Sequence, residues 1–193
     1  PRFEDGKFGK GVLIEEGTTN LLANPFFTAD SNNDGVADNW YLDGTTAIAC
    51  SIINHTGYGG KAQKATLVAG SYAYSSFGFF QHGINKPGAT VTFRATGVTN
   101  KTSILLQAYD VTNARVISEI SLGVTPGVDF DKSLTFTIPA NCTNMRVYIS
   151  CNRGTAWALN DYISVYATQL EEKPYPTSFV NGTRAVEDLT IPR

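Results

Sequence analysis

Four oxygen-bearing side chains, Asp30, Asn32, Asp34 and Asp38, lie within one short stretch, the densest set of potential hard-cation ligands in the chain. Asp30, Asn32 and Asp34 occupy alternate positions ahead of Gly35, as in the first half of a calcium loop. A structural calcium is the cofactor this pattern predicts. The second half of the loop departs from that pattern, because Tyr41 stands where an EF-hand needs a bidentate Glu and the flanks read as strands, so an EF-hand is excluded. The same residues suit a polar turn in which Asx side chains bond their own backbone without an ion.

Aromatic residues beside hydrogen-bonding ones offer a second chemistry. A pyranose ring presents a C–H face that stacks on an aromatic ring, while Gln, Asn and Arg bond its hydroxyls. Tyr109 with Gln107, Tyr148 with Arg146, and Trp157 near Asn152 and Arg153 supply both parts. Trp40 reads instead as the edge of a core.

Signals for bond-making chemistry are sparse. His55 and His82 are the two histidines, and no GxSxG elbow or HExxH motif accompanies them. A glycosidase pair would have to come from Asp110, Glu119, Asp129 and Asp131, the carboxylates in the middle of the chain.

These side chains must be held by strands, because the hydrophobic period is two almost throughout and turn residues separate the runs. Strands are predicted at Gly11–Glu15, Thr19–Ala23, Ala47–Ile53, Ala62–Val68, Ser71–Gln81, Ala89–Thr96, Ser103–Asp110, Val116–Leu122, Lys132–Ile138, Asn144–Cys151 and Asp161–Glu171. So many short strands call for an all-β fold with two packed antiparallel sheets or a closed barrel. Alternation puts Met145, Val147 and Ile149, then Val91, Phe93 and Ala95, then Ile104, Leu106 and Ala108 on core faces. Arg94, Gln107, Tyr109, Arg146 and Tyr148 fall on the opposite side of their strands, which is either a binding face or a solvated one.

At 193 residues the chain suits one well-buried domain. A net charge of -2 without a basic stripe argues against nucleic-acid binding, and the absence of a long apolar run argues against a membrane span. Cys50, Cys142 and Cys151 cannot all pair and have no zinc-like spacing, so free, half-buried thiols are expected. Residues 1–19 and 172–193 read as connectors to neighbouring domains, with residues 20–171 as the packed module. The missing initiator Met and the abrupt end at Arg193 suggest a piece of something longer.

The order of motifs resembles that of jelly-roll carbohydrate-binding modules. The likeness is carried by NLLANPFF and the turn before Trp40, HTGYGGKAQKATL, FGFFQHGINKPGATVTFRATG, FDKSLTFTIPANCTNMRVYIS and LNDYISVYATQLE. It implies a jelly-roll β-sandwich with no chemistry of its own. It further implies a structural calcium held by Thr28, the backbone of Lys61 and Asp161, with Thr28 standing where the family usually carries Glu. A sugar site on a concave sheet face or its loops is implied too, in agreement with the face bearing Arg94, Gln107, Tyr109, Arg146 and Tyr148.

The flanks GKFGKGVLIEEGTTNLL and QLEEKPYPTSFVNGTRA are similar to connecting sequences of bacteriophage tail and tail-fibre proteins. Together the two resemblances imply a virion or extracellular module that binds a bacterial surface or cell-wall polysaccharide. The alternative is a structural spacer whose aromatic face is an intersubunit contact.

Overall fold

A computed structural model describes residues 2–6, 9–13, 17–44, 47–70, 77–151 and 156–185. The described residues form β1 (Arg2–Gly6), β2 (Gly9–Leu13), β3 (Thr18–Thr19), β4 (Tyr41–Asp43), β5 (Ile48–Asn54), β6 (Lys61–Leu67) and β7 (Gly78–Ile84). They continue as β8 (Thr90–Thr99), β9 (Ser103–Asp110), β10 (Arg115–Gly123), β11 (Phe130–Thr137), β12 (Met145–Cys151), β13 (Tyr162–Glu171) and β14 (Thr183–Arg184). One five-stranded sheet has the order β10, β9, β12, β7, β4, and the other β11, β8, β13, β6, β5. All their pairings are antiparallel, which is the two-sheet sandwich that period-two patterning calls for.

The predicted core faces meet between the sheets. Val91, Phe93 and Ala95 from one sheet and Leu106, Ala108, Met145, Val147 and Ile149 from the other are fully buried in one cluster with Phe77, Phe79 and Ile163. Each such large side chain contributes about 1.5–3 kcal/mol by leaving water.

The predicted strand Thr19–Ala23 does not continue past Thr19. Beyond Thr19 the chain bends, with Asn24 and Phe27 at φ of 46° and 54°, outside the extended region. It still anchors the core, because Leu22 and Phe27 are buried and the Trp40 ring packs 5.2 Å from that of Phe27. The indole N–H of Trp40 donates to the carbonyls of Ala23 and Asn24, closing the loop. Of the predicted strands, part of Gly11–Glu15 and residues 71–76 of Ser71–Gln81 lie outside the described residues.

The boundaries at 20 and 171 cut through one hydrogen-bonded unit. β14 pairs with β3, and Asn20 bonds the backbone of Thr168, Leu170 and Val180. Residues 177–180 cross the outer face of the second sheet, because Arg94, Gln169 and Glu171 there need partners. The buried Glu171 carboxylate accepts from Thr18 Oγ1, Gln169 Nε2, and both the amide and the hydroxyl of Thr177.

Cys50 and Cys142 are free thiols. Burial pushes each up to about 11, with Asp34 adding to the effect at Cys50 and Asp110 at Cys142. The side chain of Cys151 lies outside the described residues.

Candidate functional site

The outer face of the sheet β10, β9, β12, β7, β4 carries one register row across all five strands: Glu119, Gln107, Tyr148, Phe80 and Tyr41. Tyr41 stacks on Phe80 at 5.3 Å and 16°, and Phe80 meets Tyr148 at 5.3 Å. Gln107 donates from Nε2 to Glu119. Beside this row Tyr109 pairs with Arg146 across β9 and β12, and His82 projects from β7 with its ring 4.7 Å from that of Tyr41. Arg146 leans onto the row, its guanidinium 4.4 Å from the Phe80 centroid, and donates through Nη1 to the Tyr148 hydroxyl at 2.7 Å. A hollow of about 420 Å³ adjoins Tyr41 and His82, lined also by Asn39, Gln81, Asn85 and Lys86.

Four predicted contact residues therefore share one face: Gln107, Tyr109, Arg146 and Tyr148. Gln107 is buried beneath its neighbours, whereas the other three are half-buried.

Arg94 does not belong with them. β8 and β9 follow one another in sequence but lie in different sheets, so Arg94 emerges on the far side of the sandwich. There it pairs with Asp131, donates to the Thr177 carbonyl and stacks 4.5 Å from the Phe179 ring.

Trp157 is not a sugar platform either. It is 1% exposed and meets Phe77 edge-on in the core. Asn152 and Arg153, its predicted companions, lie outside the described residues.

Sequence reasoning missed Tyr41, Phe80 and His82 as members of the face. Alternation through Gly78–Ile84 carries the signal for Phe80 and His82, with Phe79 and Gln81 buried on the other side. Tyr41 sits on a three-residue strand behind a polar loop, too short for any period to show.

In the loop of Asp30, Asn32, Asp34 and Asp38, Asn32 and Asp34 each form an Asx turn by accepting from the amide two residues on, while Asp30 and Asp38 bond across the loop. Asp30 accepts from the Gly35 amide, Asp34 from the Val36 amide and Asn32 Nδ2, and Asp38 from the amide and hydroxyl of Ser31. The buried Gln63 amide fastens the loop by bonding the Ala37 N–H and the Gly35 carbonyl, each at 2.6 Å. Gly35, at φ of 83°, approaches so closely that a Cβ there would stand 2.4 Å from the Cys50 carbonyl oxygen. Asp30 Oδ1 is shielded from water without a donor.

Thr28, Lys61 and Asp161 do not converge. Asp161 lies beside Leu67 at one end of β6, whereas Lys61 begins the strand at the other end, roughly 20 Å away at the usual rise per residue. Thr28 packs near Gly59, on the Lys61 side. Asp161 is instead bound by Lys101, Asn100 and the Ala158 amide. Among the described residues no group of three or more His, Cys, Asp or Glu side chains could hold a metal. Thr28, Lys61 and Asp161 thus do not form the calcium-binding set that the fold resemblance implies.

The four mid-chain carboxylates have separate partners: Asp110 with Asn113 and Arg115, Glu119 with Gln107, Asp129 with the Tyr166 hydroxyl and Asp131 with Arg94.

No family model matches the sequence, and no curated protein matches it. Solved structures do. A family 61 carbohydrate-binding module in complex with β-1,4-galactotriose is 16% identical, with a TM-score of 0.55 over 80% of this chain and 99% of that one. The xylan-binding CBM22 domain of a Paenibacillus barcinonensis protein is 9% identical, with a TM-score of 0.56 over 81% and 96%. The chain has the fold of carbohydrate-binding modules. A part of the enzymatically active domain of tailspike protein 4 from bacteriophage CBA120 also has this fold, at 12% identity and a TM-score of 0.55, over 79% of this chain and 21% of that one.

Proposed function

We propose that this chain is a non-catalytic carbohydrate-binding module and that the Tyr41, Phe80, Tyr148 face holds the glycan. The observation that carries this reading is the aromatic row registered across β4, β7 and β12, flanked by Gln107, Glu119, Arg146 and His82. Rings of this kind stack on sugar C–H faces, and the polar neighbours bond hydroxyls. Its context is a cell-surface or virion protein, supported by the tail-like flanks and the tailspike neighbour, and its ligand a bacterial surface polysaccharide. One shallow face binds weakly, because desolvating hydroxyls offsets much of the gain, so affinity in the parent assembly comes from repeated copies.

Titration against a panel of bacterial cell-wall and capsular polysaccharides tests the proposal. Saturable binding that Tyr41→Ala weakens supports it, and no binding at millimolar sugar overturns it.

A further inference from the structure

We infer that the glycan held by this face is acidic, and that Arg146 receives its carboxylate. The inference rests on the proposed glycan reading and adds the chemical class of ligand.

Arg146 is half-buried on two rings, 4.4 Å from the Phe80 centroid and 5.7 Å from that of Tyr148. Its Nη1 donates to the Tyr148 hydroxyl, while Nε is shielded from water and has no acceptor. The ion pairs among the described residues join Lys86 to Glu172, Arg94 to Asp131, Lys101 to Asp161 and Arg115 to Asp110, and none reaches Arg146. Arg94 makes the contrast plain: it too lies on an aromatic ring, yet Asp131 neutralises it.

A guanidinium drawn partly out of water without a counter-ion is costly, and ring faces recover only part of that cost. A carboxylate supplies what is missing, since its two oxygens match the planar fork of donors and the hydrogen bonds are charge-assisted. A neutral galactan or xylan has no such group. The carboxylates of the same face do not compete for Arg146. Glu119 on β10 and Asp43 on β4 each stand two strands from β12, about 10 Å away at the usual strand spacing. At that separation neither lies within ion-pair distance of the guanidinium. A sugar stacked on Tyr41 would then extend its acid group over the Phe80 ring to Arg146.

The test uses the full chain and four acidic polymers, namely polygalacturonate, alginate, hyaluronan and polysialic acid. Each is paired with its carboxyl-reduced neutral form, and galactan and xylan serve as neutral controls. Affinity electrophoresis and calorimetry at low salt should show at least one acidic polymer bound. Carboxyl reduction or Arg146→Gln should weaken that binding about tenfold, the loss of one charge-assisted contact, with Arg146→Lys intermediate. Raising salt to about 0.5 M should weaken it as well. Equal affinity for a polymer and its reduced form, or neutral polymers alone binding, overturns the acidic class and leaves the glycan reading standing. That comparison needs only the wild-type chain, so it holds even where a variant fails to fold. Failure of every polymer to bind overturns both.

Discussion

The guanidinium of Arg146 rests 4.4 Å from the centre of the Phe80 ring, and Phe80 in turn stacks on Tyr41. Phe80 is therefore engaged as a platform for its neighbours. Tyr41, 46% exposed at the sheet edge, is the ring of the row most open to a ligand.

Tyr41→Ala should separate binding from folding. Its stacking on Phe80 is worth about 0.5–1.5 kcal/mol, so urea midpoints should fall only modestly. Glycan affinity should fall about tenfold, the loss of one stacking contact. A variant that binds as tightly as the wild type places the sugar elsewhere.

Arg94→Ala should do the opposite. Asp131 loses its guanidinium partner and the Thr177 carbonyl loses a donor, which costs about 1–3 kcal/mol. Residues 177–180 should open first and gain amide exchange, while glycan affinity stays unchanged because the residue faces away from the aromatic row. A loss of affinity without a loss of stability would return Arg94 to the site.

That reversal shows what the sequence could and could not convey. Alternation determines which side of its own strand a residue occupies, and Ser103–Asp110 was legible to the residue, as were the core faces of β8, β9 and β12. It does not determine which sheet a strand joins, so Arg94 and Gln107 seemed neighbours although β8 and β9 are partners of different strands. Trp157 misled for a related reason. Its ring turns inward onto Phe77, a long-range contact without a local signature. The face itself depends on Tyr41, which only the pairing of β4 with β7 brings beside Phe80.

Asp161→Asn should flatten the acid limb of stability. Burial on its own would raise this carboxyl, but the Ala158 amide, the Lys101 ammonium and Asn100 outweigh it and hold it below its ordinary value. A carboxylate whose pKa is lower folded than unfolded stabilises at pH above its unfolded value near 3.9 and loses that contribution as pH falls through the folded value. The variant should be about 1–2 kcal/mol less stable at neutral pH. Urea midpoints of the two proteins should then converge below about pH 4. Parallel curves across that range would show that the Lys101 contact adds nothing.

The Asp30 to Asp38 loop should not need an ion to hold its shape. Gln63 bonds it from within the sandwich, Gly35 lies against the Cys50 carbonyl as no other residue could, and the Asx carboxylates bind their own backbone. Adding calcium or a chelator should thus shift Tm by less than about 1 °C, well under the few degrees that one kcal/mol produces in a domain of this size. Gln63→Leu should cost about 1–3 kcal/mol, because two backbone groups lose their partner beneath the loop. A rise of several degrees with calcium would mean that the loop rearranges around a cation. Asp30 Oδ1, buried and without a donor, is the atom that would turn to meet it first.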